Sequence, residues 1–357
     1  MDIQGAALVG LCYIPVLYFA YSAFATDPVT AAAGLVILAM SAYILLETMS
    51  HGSVSSSNKA VFITGCDSGF GYSLAERLDE LGFKVFAACL FHDGDGAKAL
   101  RERCSNRLHI VQLNVSSDQQ VQEALTFVRE NLGDSDLWAV VNNAGIGMFG
   151  ELEWVKIEDL QKVMDVNAVG PVRIIKAFLP LLRKSKENPR IVNVNSVAGR
   201  FTLACGVPYS MSKHACIAFT DGLRRELKKF NIDVVSVEPT LYKTPLGNPD
   251  TLKKNSEQQW EQLSTDVKSD YGQGYFDALC KVLPARFQAM ASDNVDAVIA
   301  TLVTAVTIIK PKRRYIPRLT ASFRVWILEK LPYSIQDRLL VAFQPKVAVA
   351  WAKGRET

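Results

Sequence analysis

The sequence predicts an α/β protein: a doubly wound parallel sheet of about seven strands with helices on both faces, preceded by a transmembrane hairpin. Three observations point there. Six short apolar runs, rich in β-branched and aromatic residues, recur through the chain and are separated by segments of helical length. The first of these runs ends in a glycine-rich turn that leads into a helix. Two uncharged stretches, each close to the ~20 residues that span a bilayer as a helix, fall within residues 1–50.

The amino-terminal stretches come first. Residues 6–25 carry no charge, Thr26-Asp27-Pro28 interrupts, and residues 29–46 are again uncharged. Asp-Pro suits the turn between two spans, so residues 1–50 read as a membrane hairpin, with a single anchor followed by a buried helix as the alternative. A cleavable signal peptide would use Ala23-Phe24-Ala25, but no Lys or Arg precedes it. A mitochondrial transit peptide should be rich in Arg, whereas residues 1–50 hold three acids and no base.

After a polar linker at 51–58, the runs Lys59–Gly65, Lys84–Leu90, Leu108–Val115, Leu137–Gly145, Arg190–Ser196 and Asp233–Pro239 read as strands. They are apolar throughout rather than alternating, which indicates a parallel sheet covered on both faces. The folded domain is drawn from 59 to 300, with 241–290 as a segment covering the site. Seven cysteines without a Cys-x-x-Cys pair describe neither a disulfide framework nor a zinc site and favour a reducing compartment. No metal site is expected.

The net charge of +3 is unevenly placed. Residues 310–357 hold eleven Lys or Arg against three acids, interleaved with Phe323, Trp326, Ile327, Leu328, Leu339, Leu340, Phe343 and Trp351. Such a tail, drawn from 301 to 357, suits an anionic membrane surface; no nucleic-acid motif accompanies the charge. A terminal helix capping the core is the plainer alternative.

Two local patterns carry chemistry. In Thr64-Gly65-Cys66-Asp67-Ser68-Gly69-Phe70-Gly71, glycines between a strand and a helix let the backbone approach a pyrophosphate at a helix amino terminus. In Pro208-Tyr209-Ser210-Met211-Ser212-Lys213, a helix opening at Pro208 puts Tyr209 and Lys213 on one face, where an ammonium favours a phenolate. Taken alone, such a pair is more often a solvated helix surface.

Together with Asn142-Asn143-Ala144-Gly145, Asn167 and Ser196, these patterns resemble the short-chain dehydrogenases/reductases, whose Thr-Gly-x-x-x-Gly-x-Gly turn, Asn-Asn-Ala-Gly motif and Asn-Ser-Tyr-Lys tetrad appear here in the family's order. The likeness runs from about Lys59 to Pro239. The wording Ile63-Thr64-Gly65-Cys66-Asp67-Ser68-Gly69-Phe70-Gly71, Leu137-Trp138, Phe178-Leu179-Pro180-Leu181-Leu182-Arg183 and Trp260 with Asp270-Tyr271-Gly272 resembles the membrane-bound branch holding retinol dehydrogenases, 17β- and 11β-hydroxysteroid dehydrogenases type 2 and D-3-hydroxybutyrate dehydrogenase.

The resemblance implies a Rossmann-type sheet and an NAD(P)-dependent oxidoreductase. Tyr209 would be the acid/base, Lys213 would support it and hold the nicotinamide ribose, Ser196 would hydrogen-bond the substrate oxygen, and Asn167 would continue a proton relay. It places the cofactor against Thr64, Gly65, Asp67, Ser68, Gly69, Phe70, Gly71, Asn114, Val115, Asn143, Ala144, Gly145, Tyr209, Lys213, Pro239 and Thr240. NAD is favoured over NADP, because Asp67 would repel an added phosphate and Lys98 is the first base after the second strand. Thr240 departs from the family's Pro-Gly.

Leu241, Tyr242, Trp260, Tyr275 and Phe276 suit a lipophilic substrate (steroid, retinoid or related lipid) but equally a core. D-3-hydroxybutyrate is the alternative substrate, suggested by Leu113-Asn114-Val115 and Phe149-Gly150-Glu151, with Arg200 as its carboxylate clamp; a non-catalytic cofactor-binding scaffold is the alternative of another class. A homodimer is an expectation from the family alone. The acidic loop at Asp27 and the bases from Lys59 onward put the folded domain on the cytosolic side, by expectation at the endoplasmic reticulum, with a mitochondrial membrane as the alternative. The sequon Asn114-Val115-Ser116, beside the adenine in the family's layout, agrees with a domain that never meets the glycosylation machinery.

Overall fold

The computed structural model describes residues 52–341 and 344–353. The two apolar spans at 6–25 and 29–46 lie outside the described residues, and among those described no helix is long and apolar enough to cross a membrane. The chain divides into two units, residues 1–53 with 308–310 and residues 54–307 with 311–357. In the first, Ser53 and Ile308 form an antiparallel bridge.

The second unit is built on a seven-stranded parallel sheet of order β3-β2-β1-β4-β5-β6-β7. Its strands are β1 (Lys59–Thr64), β2 (Lys84–Cys89), β3 (Leu108–Gln112), β4 (Asp136–Asn142), β5 (Arg190–Val194), β6 (Asp233–Val237) and β7 (Arg314–Tyr315). Successive residues point to opposite faces, and both faces are buried. Val61, Ile63, Val85 and Val235 pack under α1 (Gly69–Glu80), α2 (Asp95–Arg103) and α10 (Asp296–Thr307). Ala60, Phe62, Phe86 and Val234 pack under α3 (Asp118–Asn131), α5 (Gly170–Leu182) and α6 (Val207–Leu227). Apolar residues on every position of a strand are what this double burial requires.

Each of the six strands ends earlier than its apolar run suggests. The physical reason is visible at β4: the N–H groups of Asn143 and Ala144 leave the ladder and donate to Oγ1 of Thr64, both at 3.0 Å. The missing residues form the turns at the carboxyl ends of the strands, where the order reverses between β1 and β4 and a doubly wound sheet opens a crevice.

Residues 241–290 form α7 (Pro249–Glu261), α8 (Thr265–Tyr271) and α9 (Gln273–Met290) over that crevice. Trp260 stacks on Phe276 with centroids 4.7 Å apart and meets Trp154 edge-on at 5.1 Å, so Trp260, Tyr275 and Phe276 are core of this layer. The boundary drawn at residue 300 falls inside α10, whose Val298, Leu302 and Val306 are buried on the sheet. Beyond it lie β7, α11 (Leu319–Lys330), α12 (Tyr333–Leu340) and the short α13 (Ala350–Lys353), with Phe323, Trp326, Tyr333 and Leu339 exposed.

Candidate active site

The first turn is a cradle cut to backbone dimensions. Gly65 has φ +72°, and a Cβ there would stand 2.7 Å from Cα of Ala144; a Cβ on Gly71 would collide with the Gly65 carbonyl and the Asn143 amide. Nδ2 of Asn143 donates to the carbonyls of Thr64 at 2.9 Å and Gly65 at 3.0 Å, locking the turn to the end of β4. The opening N–H groups of α1, capped by no side chain at Ser68, point out of this turn.

Asp67 sits in the same turn. Its carboxylate accepts the N–H groups of Leu90 and Phe91, both at 2.9 Å, and so fixes a negative charge at the end of β2. Gly96 of α2 packs so closely on the Asp67 carbonyl that no side chain fits. The nearby thiols are poor nucleophiles. Burial, then Asp67, pushes Cys89 up to about 12; burial and the neighbouring Cys89 and Asp67 raise Cys66. Burial and Glu151 raise Cys205 in the same way. The six described cysteines are free.

The other half of the site lies where β5 and β6 end. Ser196 opens a helical turn, Val197–Gly199; its Oγ accepts from the Ala198 N–H at 3.1 Å and donates across a long 3.4 Å to the Pro239 carbonyl. Lys213, buried on α6, donates from Nζ to the Val194 carbonyl at 3.0 Å and lies 5.8 Å from the centroid of the Tyr209 ring. The predicted shared helix face is therefore present.

Asn167 stands in a π-helical turn, Asp165–Val169, between α4 (Ile157–Met164) and α5. Its Oδ1 accepts from the Ile146 N–H at 2.8 Å, and its Nδ2 donates to the Ile146 carbonyl and to Oγ of Ser212, each at 2.9 Å. Ser212 in turn donates to the Tyr209 carbonyl at 2.6 Å. A Cβ on Gly145 would lie 3.3 Å from Oδ1 of Asn167 and 3.7 Å from Nζ of Lys213, so both side chains close on that glycine.

The glycine turn, Ser196, Tyr209 and Lys213 face one cavity of about 1250 Å³. Gly65, Asp67, Ser68, Gly69, Phe70, Asn114, Val115, Asn143, Ala144, Gly145, Ser196, Tyr209, Lys213, Pro239 and Thr240 line it. Thr64, Gly71 and Asn167 are buried behind that lining. Its far wall is apolar: Phe149, Leu203, Leu246, Leu252 and Phe287, with the Phe149 ring 5.3 Å from Tyr209 and 4.6 Å from Phe287. Leu241 and Tyr242 line the cavity as well.

Arg200 corrects an expectation. It is absent from the lining, and its guanidinium grips Glu238 through Nη2 at 2.7 Å and Nε at 3.1 Å, so no carboxylate clamp stands there. Ser212 and Glu238 are the polar residues that motif reading passed over. Ser212, three positions after Tyr209 on α6, could have been found from helical spacing; Glu238 carries no such signal.

A glycine cradle at the switch point of a parallel sheet, facing a Tyr, a Lys and a Ser across one cavity, is the layout of a nicotinamide-dependent oxidoreductase. Residues 59–257 match the model of the family described as short chain dehydrogenase. The chain belongs to the short-chain dehydrogenase/reductase family. It is similar to retinol dehydrogenase 16 of Rattus norvegicus, 39% identical over 290 residues that cover 81% of this chain and 90% of the relative. It is equally similar to the mitochondrial D-beta-hydroxybutyrate dehydrogenase of Bos taurus, 39% identical over 296 residues covering 80% and 84%. Among solved structures, a short-chain dehydrogenase/reductase from Burkholderia phymatum in complex with NAD shares the fold, with a TM-score of 0.63 at 22% identity over 83% of this chain and 100% of that one.

Proposed function

We propose that the protein is a membrane-anchored, NAD-linked dehydrogenase/reductase that interconverts an alcohol and its carbonyl on a lipophilic substrate of retinoid or steroid type. The apolar wall of Phe149, Leu203, Leu246, Leu252 and Phe287 beside Tyr209 carries this reading, because it offers a long hydrocarbon surface next to one proton-transferring hydroxyl. The D-3-hydroxybutyrate reading keeps the similarity to that relative but needs a cation other than Arg200, which is held by Glu238.

Tyr209 takes the alcohol proton in oxidation and returns it in reduction. Lys213 brings positive charge to the phenol and holds the nicotinamide ribose. Ser196, with the Ala198 N–H on one lone pair, turns its proton to the substrate oxygen in place of the long bond to Pro239. Asn167 and Ser212 extend the polar path behind Tyr209. The cradle of Gly65, Gly69 and Gly71 and the start of α1 fit a pyrophosphate, since Gly65 and Gly71 let the turn close tightly on Ala144 and Asn143, where side chains would collide, and leave the opening N–H groups of α1 uncapped. When bound there, the dinucleotide supplies the hydride acceptor or donor. Asp67, fixed at the end of β2, sets the preference for NAD by repelling a ribose phosphate.

The spans at 6–25 and 29–46 anchor the chain. The exposed aromatic and basic residues of α11 and α12 rest on an anionic bilayer surface, with the catalytic domain on the cytosolic side of the endoplasmic reticulum. The test is the purified full chain with NAD or NADP against all-trans-retinol, a panel of hydroxysteroids and D-3-hydroxybutyrate. Turnover of a lipid alcohol, faster with NAD, is expected. Faster turnover of D-3-hydroxybutyrate overturns the substrate class, and dinucleotide binding without any turnover favours a scaffold.

A further inference from the structure

Glu238 is fully buried, at 0% exposure, one residue before Pro239. Three side chains converge on it: Arg200 through two nitrogens, Arg314 through Nε at 2.7 Å, and Ser236 through its hydroxyl at 2.8 Å. Arg314 also meets Glu329 of α11 at 2.7 Å, so the four charged groups form a neutral ladder. A buried ion pair is a poor source of stability, because well-packed apolar residues of the same volume hold two segments as firmly. What a bidentate guanidinium adds is direction.

That direction falls on Ser196. Arg200 closes the turn that Ser196 opens, and the same turn is fastened to the residue after Glu238 by the Val197 N–H, which donates to the Pro239 carbonyl at 3.1 Å. Ser236 continues the arrangement beneath the turn by accepting from Nδ2 of Asn195 at 2.9 Å. One end of the Ser196 turn is thus held by backbone and the other by Arg200 on Glu238. We infer that Glu238 is a positioning residue for the reaction, fixing through Arg200 the turn that aims the Ser196 hydroxyl at the substrate oxygen. This rests on the reading of Ser196 given above.

The experiment is a double-mutant cycle of Ser196→Ala and Glu238→Gln in the full chain, with NAD and the panel alcohol turned over fastest. Glu238→Gln is expected to lower kcat about tenfold and to leave the NAD dissociation constant unchanged; in the Ser196→Ala background the same change should cost nothing further. An equal loss in both backgrounds overturns the inference while leaving the site reading intact. Wild-type turnover by Ser196→Ala overturns the site reading itself. Should Glu238→Gln fail to fold, Arg200→Ala decides: Arg200 is 25% exposed, so added guanidinium can reach its place. Recovery of kcat with guanidinium, at concentrations that leave the circular dichroism unchanged, supports the positioning role, and no recovery overturns it.

Discussion

Lys213 donates to the Val194 carbonyl at 3.0 Å, so the helix that carries Tyr209 is pinned to the strand that delivers Ser196. Removing either side chain of the Tyr209–Lys213 pair should therefore have different effects. Tyr209→Phe deletes one oxygen and should cut turnover by ~10² or more while NAD still binds. Lys213→Ala removes a charge and a tether, and should weaken NAD binding as well as rate. Steady-state kinetics with fluorescence titration of NAD separates the two; a Tyr209→Phe enzyme keeping more than about a tenth of wild-type turnover would refute the acid/base role.

Gly65→Ala combines a left-handed φ with a collision against the Ala144 backbone. A non-glycine residue in that region costs about 1–3 kcal/mol, and the collision adds to it. Gly222, on α6, has no heavy atom within 4 Å of an added Cβ, so Gly222→Ala should stabilise the helix by up to about 1 kcal/mol. Urea unfolding of the two variants should move in opposite directions, and only Gly65→Ala should lose the dinucleotide.

His109 on β3 stacks against Phe86 at 5.2 Å, and burial, helped by the charge of Lys84, lowers its pKa below the usual imidazole value. The unfolded chain then binds the proton more readily than the folded one. This contribution to stability is complete above the unfolded value of about 6.5 and is lost as the pH falls through it, until the folded imidazole also protonates. Thermal midpoints measured from about pH 8 to pH 5 should fall less steeply in His109→Gln than in wild type; parallel slopes would assign the loss to other groups.

Phe323 and Trp326 are 61% and 57% exposed on α11, with ring centroids 6.2 Å apart. Replacing both by Ser should change stability by no more than about 0.5 kcal/mol each. Sedimentation with phosphatidylserine vesicles, in a chain lacking residues 1–50, should nonetheless drop, and what remains should weaken with salt. Unchanged sedimentation would remove α11 from the lipid-facing surface.

Six strands and the two chemical patterns were legible because they depend on local features: apolar runs, glycines and helical spacing. Their ends were not, since Asn143 and Ala144 look like strand residues until Thr64 draws their N–H groups away. β7 is two residues within a run of bases and exists because Ser236 and Glu238 donate to the carbonyls of Arg313 and Tyr315. Trp260, Tyr275 and Phe276 were open between substrate wall and core; Trp154, far earlier in the chain, decides for core. Arg200 looked like a free cation because its partner Glu238 meets it only when β5 and β6 lie side by side.

On the ribosome, β1 and its glycine turn emerge long before β4, yet β1 lies between β2 and β4 in the finished sheet. Until Ala144 arrives, Gly65 has nothing to fit against, and a nascent chain holds a nucleotide-binding sequence without a nucleotide-binding shape. Pairings of such long sequence separation close slowly. Trp138 waits still longer for the Val306 carbonyl, and Glu238 for Arg314. A polypeptide interrupted before Arg314 would carry every motif of the family yet lack β7 and one of the two guanidinium partners of Glu238, so the sheet is completed only by residues made after all of those motifs.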